Sequence, residues 1–277
     1  MQEEDLVFFK KWFLNYVENF SSSDPLVKAN IELKIEHTKR VCKNILLLAK
    51  SEKLGKEECR LAEAIALFHD LGRFEQFTKY RTFKDSESEN HAALGVKILK
   101  KTRVLSRISE SEENLILKAI EYHNLMKIPE CVNNSSNSGE NDSSELLYYS
   151  KLIRDADKLD ILKLISKDCE AKEDINPALE LYLPDTSGCS EPIIKAILNN
   201  KMAKIEDVKN RNDIKLLRLS WVFDINFPGT FALLRDFRYL EIIWASLPDT
   251  KDVLSVRKYL KAYLEKQVMS QTGSERL

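Results

Sequence analysis

Glycine and proline are scarce, at seven each in 277 residues, where average usage is about 7% and 5%. A chain so poor in turn-forming residues lacks the punctuation of a sandwich, barrel or propeller, and it offers no Gly-rich phosphate loop for a parallel sheet. Cysteine gives no framework: Cys42, Cys59, Cys131, Cys169 and Cys189 are odd in number, scattered and never spaced C-x-x-C. That excludes a disulfide scaffold and a thiolate zinc site, and most of the five are expected to be small core residues in a reducing compartment. Charge of one sign is not in excess, with 43 Lys+Arg against 44 Asp+Glu. The basic surplus of a duplex-binding protein is missing. No apolar run approaches the roughly 20 residues needed to cross a bilayer. The acidic start Met1-Gln2-Glu3-Glu4-Asp5 is unlike the basic start of a secretory signal. The class left standing is all-α, expected to be soluble and cytoplasmic, with a small-molecule partner rather than a membrane or a nucleic acid.

What is present is apolar spacing at helical period, in a chain that is 43% hydrophobic and so able to build a sizeable core. Leu6, Phe9, Phe13, Leu14 and Val17 predict a first helix, and Ser21-Ser22-Ser23-Asp24-Pro25 supplies caps and a proline for the start of a second. That second helix runs to Lys50 with Leu33, His37, Val41, Ile45 and Leu48 on one stripe; a third, Lys56 to Phe68, aligns Leu61, Ile65 and His69. Asp85 to Asn90 reads as a polar loop capping a helix that starts near His91, and another helix starts at Ser109 to Glu113 and ends with His123. The Asn/Ser-rich stretch inside 131–144 is expected to be a mobile insertion. An amphipathic helix from Glu145 to Ser166 follows, with Asp157 in its apolar stripe. Beyond it, Pro177, Pro184, Gly188 and Pro192 interrupt the pattern, and three helices are expected at about 207–226, 229–246 and 250–269. The expected division is an N-terminal helix and linker at 1–25, a core at 26–166, and a C-terminal helical cap on that core at 167–277.

The four histidines, His37, His69, His91 and His123, all fall in the first half of the chain, on or at the ends of four different helices. Each alone reads as a hydrogen-bonded core residue. Together with an interior acid, Asp157, they make a set that needs a partner, because an ionised carboxylate is costly to bury unless paired or metal-bound. Imidazole plus carboxylate suits Fe, Mn, Co, Ni or Zn rather than thiophilic metals.

The ordered set His37, His69-Asp70, His91, His123 and Asp157, with the strings Leu67-Phe68-His69-Asp70-Leu71-Gly72-Arg73 and Arg154-Asp155-Ala156-Asp157-Lys158-Leu159, resembles the HD-domain superfamily of metal-dependent phosphohydrolases. The resemblance implies an HD-domain helical bundle over 26–166 with an appended C-terminal helical region, and Gly72 allowing the turn after the His-Asp pair. It implies that His37, His69, Asp70 and Asp157 hold one divalent metal, and that His91 and His123 hold a second with Asp70 bridging; in the alternative, one metal is bound and those two histidines contact phosphate. Two ions (Mn, Fe, Co, Ni or Mg) would then activate a hydroxide and clamp the phosphoryl oxygens of a phosphomonoester or phosphodiester. The substrate would be a nucleotide or another small phosphorylated molecule.

Asp70, Arg73 and Lys158 are the catalytic candidates. Arg73 stands where many binuclear relatives carry Lys, and Lys158 follows Asp157 but projects about 100° from it on a helix. Arg154 is placed to reach the face of Asp157. The strip Tyr80-Arg81-Thr82-Phe83 reads as a substrate lid or a packed loop, and Leu219 to Phe227, containing Asp224, as aromatic core. Two other functions fit the same ligands: an HD-type di-iron oxygenase, and a ligand-sensing HD module without catalysis.

Overall fold

A computed structural model describes residues 1–129, 140–171 and 180–272. Among these residues every regular element is helical and there is no strand, in agreement with the all-α expectation. The chain divides into two compact units, Met1–Asp157 and Lys158–Leu277, and the division falls inside one long helix.

The first unit contains α1 (Glu3–Glu18), α2 (Pro25–Ser51), α3 (Lys56–Phe68), α4 (Gly72–Tyr80), α5 (His91–Thr102), α6 (Glu110–Tyr122) and the first part of α7 (Glu140–Ala171). Caps fix where these helices start. Asp24 accepts from Leu26 N at 2.9 Å with Pro25 in the first turn, Asn90 accepts from Ala93 N at 3.0 Å, and Ser109 forms a reciprocal capping box with Glu112. On α1, Leu6, Phe9, Phe13 and Val17 are buried, while Leu14 is 50% exposed because it projects about 100° from Phe13. Phe9 meets Phe68 edge-on at 5.5 Å. Both rings are fully buried, each contributing roughly 1.5–3 kcal/mol by burial, and they anchor the end of α3 just before His69.

Gly72 does not work as a turn residue. It lies in the first turn of α4 without a positive φ, and a Cβ there would sit 2.2 Å from the carbonyl oxygen of His91 and 2.8 Å from the backbone nitrogen of Gly95. The two glycines let α4 and α5 approach backbone to backbone, which brings the start of α5, and with it His91, up to the end of α3.

The second unit holds α8 (Glu191–Leu198), α9 (Arg211–Leu219), α10 (Pro228–Phe237), α11 (Tyr239–Ala245) and α12 (Lys251–Thr272), with a core that includes Leu162, Ile197, Leu216, Leu219, Ile243 and Leu260. Three expectations are corrected. The polar stretch expected at 131–144 ends earlier, since 140–144 already belong to α7; propagating a helix is cheap once an apolar stripe has nucleated it. Residues 130–139 lie outside the described set, as does Cys131. The helix expected at 229–246 is two helices, parted at Arg238 in the left-handed region (φ 55°), where no glycine signals a break. The segment expected at 207–226 is helical only from Arg211 to Leu219, followed by a 3-10 turn over Ser220–Asp224. Of the described cysteines Cys42 is buried, Cys169 and Cys189 are partly buried against the core of the second unit, and Cys59 is partly exposed. No described helix is long and apolar enough to cross a membrane.

Candidate metal centre

Five segments of the first unit converge at one place. His37 comes from the middle of α2, His69 and Asp70 from the three-residue break between α3 and α4, His91 from the first residue of α5, His123 from the residue that ends α6, and Asp157 from α7. The break is tight: Leu71 N donates to Phe68 O at 3.1 Å and Arg73 N to Asp70 O at 2.9 Å, which turns the His-Asp pair inward. The four histidines and Asp70 are buried, and the Asp157 side chain is 19% exposed.

The imidazoles pair by their Nε2 atoms, His37 with His69 at 3.3 Å and His91 with His123 at 3.1 Å. Asp70 lies between the pairs. Its Oδ2 is 3.5 and 3.7 Å from the Nε2 atoms of His37 and His69, and its Oδ1 is 3.5 and 4.0 Å from those of His91 and His123. Asp157 Oδ1 joins the first pair, 3.1 Å from His37 and 3.8 Å from His69. Donors about 2.0–2.2 Å from a shared divalent ion stand roughly 3–3.5 Å from one another, so these separations fit metal coordination. Two triads, His37-His69-Asp70 and Asp70-His91-His123, could each hold an ion.

Hydrogen bonds on the far nitrogens decide which atoms face inward. His69 Nδ1 is 2.7 Å from Ala66 O and His123 Nδ1 is 2.6 Å from Ile120 O. A carbonyl can only accept, so each Nδ1 carries the proton and each neutral ring turns the Nε2 lone pair to the centre. Burial lowers the pKa of His69, His91 and His123, the last to about 3 with help from the neighbouring imidazoles, so these rings are neutral at pH 7. Burial raises the Asp70 carboxyl, but Lys34, His69, Arg73 and His91 outweigh it and hold the group well below the usual carboxylate range. Asp157 is likewise lowered, its burial overcome by His37 and His69. The centre is therefore a ring of lone pairs and carboxylate oxygens, a donor set for hard or borderline divalent cations.

Three residues support the centre, of which the sequence singles out only Arg154. Asp85, in the loop before α5, takes His91 Nδ1 at 2.8 Å and also accepts from Arg73 Nη1 (3.0 Å), Gln76 Nε2 (2.8 Å) and Asn124 Nδ2 (3.2 Å). A carboxylate behind a ligating imidazole fixes its tautomer and raises its basicity. Arg154, one turn before Asp157, donates to the carbonyls of Tyr122 (3.1 Å), His123 (3.0 Å) and Leu125, tying α7 to the segment that presents His123. Lys34, one turn before His37, has Nζ 2.7 Å from Asp70 Oδ2. A lysine at i−3 from the first histidine was the available clue to it; Asp85 sits in a loop with no periodicity to read.

The other candidates are placed differently. Arg73 has Nη1 engaged with Gln76 Oε1 (2.7 Å), Phe83 O (2.7 Å) and Asp85, and its Nε lies 3.5 Å from Asp70 Oδ1. Lys158 pairs with Asp224 at 2.6 Å within the second unit, the ion-pair outcome for a residue one helical step from Asp157. In the Tyr80 to Phe83 strip, Arg81 is a left-handed cap and Phe83 packs on Phe77 at 4.6 Å, so this is a packed loop.

A family model described as HD domain matches residues 35–162, spanning all six convergent residues. This segment is an HD domain. The superfamily is in general one of metal-dependent phosphohydrolases, although some HD domains are not catalytic. HD-domain membership implies divalent metal binding, and the His/Asp clusters described above fit it. Neither a curated protein nor a solved structure matches the chain.

Proposed function

We propose that this HD domain is a two-metal phosphohydrolase acting on a nucleotide or another small phosphorylated molecule. The observation that carries the reading is the division of Asp70, one oxygen toward each histidine pair, with Nε2 lone pairs facing each other at 3.1 Å across the His91–His123 pair. Two acceptors so close repel unless a cation lies against both. In this reading His37, His69, Asp70 and Asp157 hold one ion, and Asp70, His91 and His123 hold the other; Mn, Fe, Co, Ni and Mg are the candidates. When bound, such a pair supplies a nucleophile from water at neutral pH and offsets charge on the transferring phosphoryl group. The chain's own part is to keep the rings neutral, to fix their Nδ1 protons on Ala66, Ile120 and Asp85, and to hold both carboxylates ionised.

The test is elemental analysis of the purified protein, followed by phosphate release from an aryl phosphate and a nucleotide panel with each metal, under anaerobic conditions. Two ions per chain with anaerobic turnover is the expected result. Two irons with oxygen consumption and no hydrolysis would replace it with the oxygenase, and ligand binding without turnover at any metal would replace it with the sensor.

A further inference from the structure

The imidazoles of the centre are backed in two ways. His69 and His123 spend their outer nitrogens on carbonyls three residues earlier, Ala66 O at 2.7 Å and Ile120 O at 2.6 Å, so the segments that carry these rings also fix them. His91 is the first residue of α5 and has no helical turn before it. Its Nδ1 donates instead to Asp85 Oδ2 at 2.8 Å, in the loop that joins α4 to α5. The tautomer and direction of His91 therefore depend on where that loop is held.

The buried hub of the loop is Gln76. It is fully buried on α4, close in sequence to the fully buried rings of Phe74 and Phe77. Its Nε2 donates to Asp85 Oδ1 at 2.8 Å, Ser88 Oγ at 2.8 Å and Glu89 O at 2.9 Å, two protons serving three acceptors. Arg73 Nη1 donates to its Oε1 at 2.7 Å and so sets which way the amide faces. Turned over, the amide would set its oxygen against the Asp85 carboxylate and its N–H groups against a guanidinium. Among the described residues, no hydrogen bond of Gln76 goes to any of the six metal-site residues.

We propose that Gln76 is a positioning residue for the second metal ion, the one assigned to Asp70, His91 and His123: it locks the loop to α4 so that Asp85 stands behind His91. The proposal rests on the two-metal reading. It makes the two sites unequal. Among the described residues no ligand assigned to the first ion hydrogen-bonds to the loop, so the second ion can be lost while the first remains.

The probe is Mn alone. The full chain is dialysed against a descending series of Mn concentrations, and the bound ions are counted at each by elemental analysis. Wild type is expected to hold two ions. Two substitutions of opposite polarity keep the length of the side chain, so that a folded variant is at hand: Gln76→Met removes the donors, and Gln76→Glu still accepts from Arg73 but faces the Asp85 carboxylate. Gln76→Met should weaken one ion about tenfold or more and leave the other as it was. Gln76→Glu should weaken the same ion further, because like charges would meet where a hydrogen bond stood. His91→Ala assigns the effect: in that background Gln76→Met should shift the affinity of the remaining ion by less than about twofold, since the residue through which Gln76 acts is gone. Both ions held with wild-type affinity in the two Gln76 variants would overturn the proposal and leave the two-metal reading standing. Equal weakening of both ions, persisting in the His91→Ala background, would overturn it as well, with Gln76 then serving the fold alone. Wild type that holds a single ion removes the two-metal reading and the proposal with it.

Discussion

In the second unit the buried carboxylate of Asp213 is fully engaged, accepting from Ser190 N and Ser190 Oγ at 2.7 Å each and from Lys209 N at 2.9 Å, and Lys158 and Arg211 pair with Asp224 and Glu180. In the first unit the buried His69, His91 and His123 use their outer nitrogens in the same way and then aim their inner ones at other acceptors. Polar groups buried for stability end their hydrogen bonds on one another. Polar groups buried for binding leave a matched set of lone pairs unspent, and the difference marks the centre without reference to any family.

The largest effect that could break this contrast is on Asp70, the one residue common to both triads. Asp70→Ala is expected to empty both metal sites and abolish phosphate release, and elemental analysis with an activity assay checks it. His91→Ala or His123→Ala should each lower metal content by about one ion per chain and leave the other in place; two ions retained in either variant would refute the two-site assignment. In the second unit, Asp213→Ala should leave metal content unchanged while lowering the urea-unfolding free energy by roughly 2–4 kcal/mol, because it orphans two backbone donors and a hydroxyl. Asp85→Asn keeps the shape but disturbs the tautomer of His91, and a loss of about 10–100-fold in metal affinity is expected in competition with a chelating dye.

The smallest effect is on pH. His123 has a folded pKa of about 3, below its unfolded value of about 6.5, so the native state binds fewer protons and stability is present above pH 6.5 and declines as pH falls toward 3. Metal-free protein should therefore lose roughly 1–2 kcal/mol of unfolding free energy between pH 7 and pH 5, followed by urea titration at each pH. All four histidines lie in the first unit, so His123→Gln should reduce this slope, with His69 and His91 keeping part of it, while Asp213→Ala should not change it.

The helices of the first unit were legible because their caps and stripes are local: Asp24-Pro25, Ser109 with Glu112, and the four-residue spacing of Leu61, Ile65 and His69 act within a turn or two. All six expected metal-site residues do converge, since each sits on a stripe or a helix end that helical geometry directs inward. Of the supporting residues only Arg154 was singled out in the sequence, and its partners were not legible. Asp85 meets His91 across a loop, Arg154 reaches the end of α6 from α7, and Lys34 looks on paper like any lysine of a solvated face. The break at Arg238 escaped for a related reason, as no glycine or proline announces it.

The sequence by itself determined an all-α chain, because turn-residue poverty, periodicity and capping are properties of near neighbours, and it carried the ordered histidines and aspartates by which it resembles the HD-domain superfamily. Only the tertiary structure decided that Gly72 serves close helix packing rather than a turn, that Asp70 divides its oxygens between two histidine pairs, and that Gln76 ties the Asp85 loop to α4 behind His91. Those facts depend on distances between segments tens of residues apart, which no local pattern encodes and which the packing of α2 to α7 alone sets.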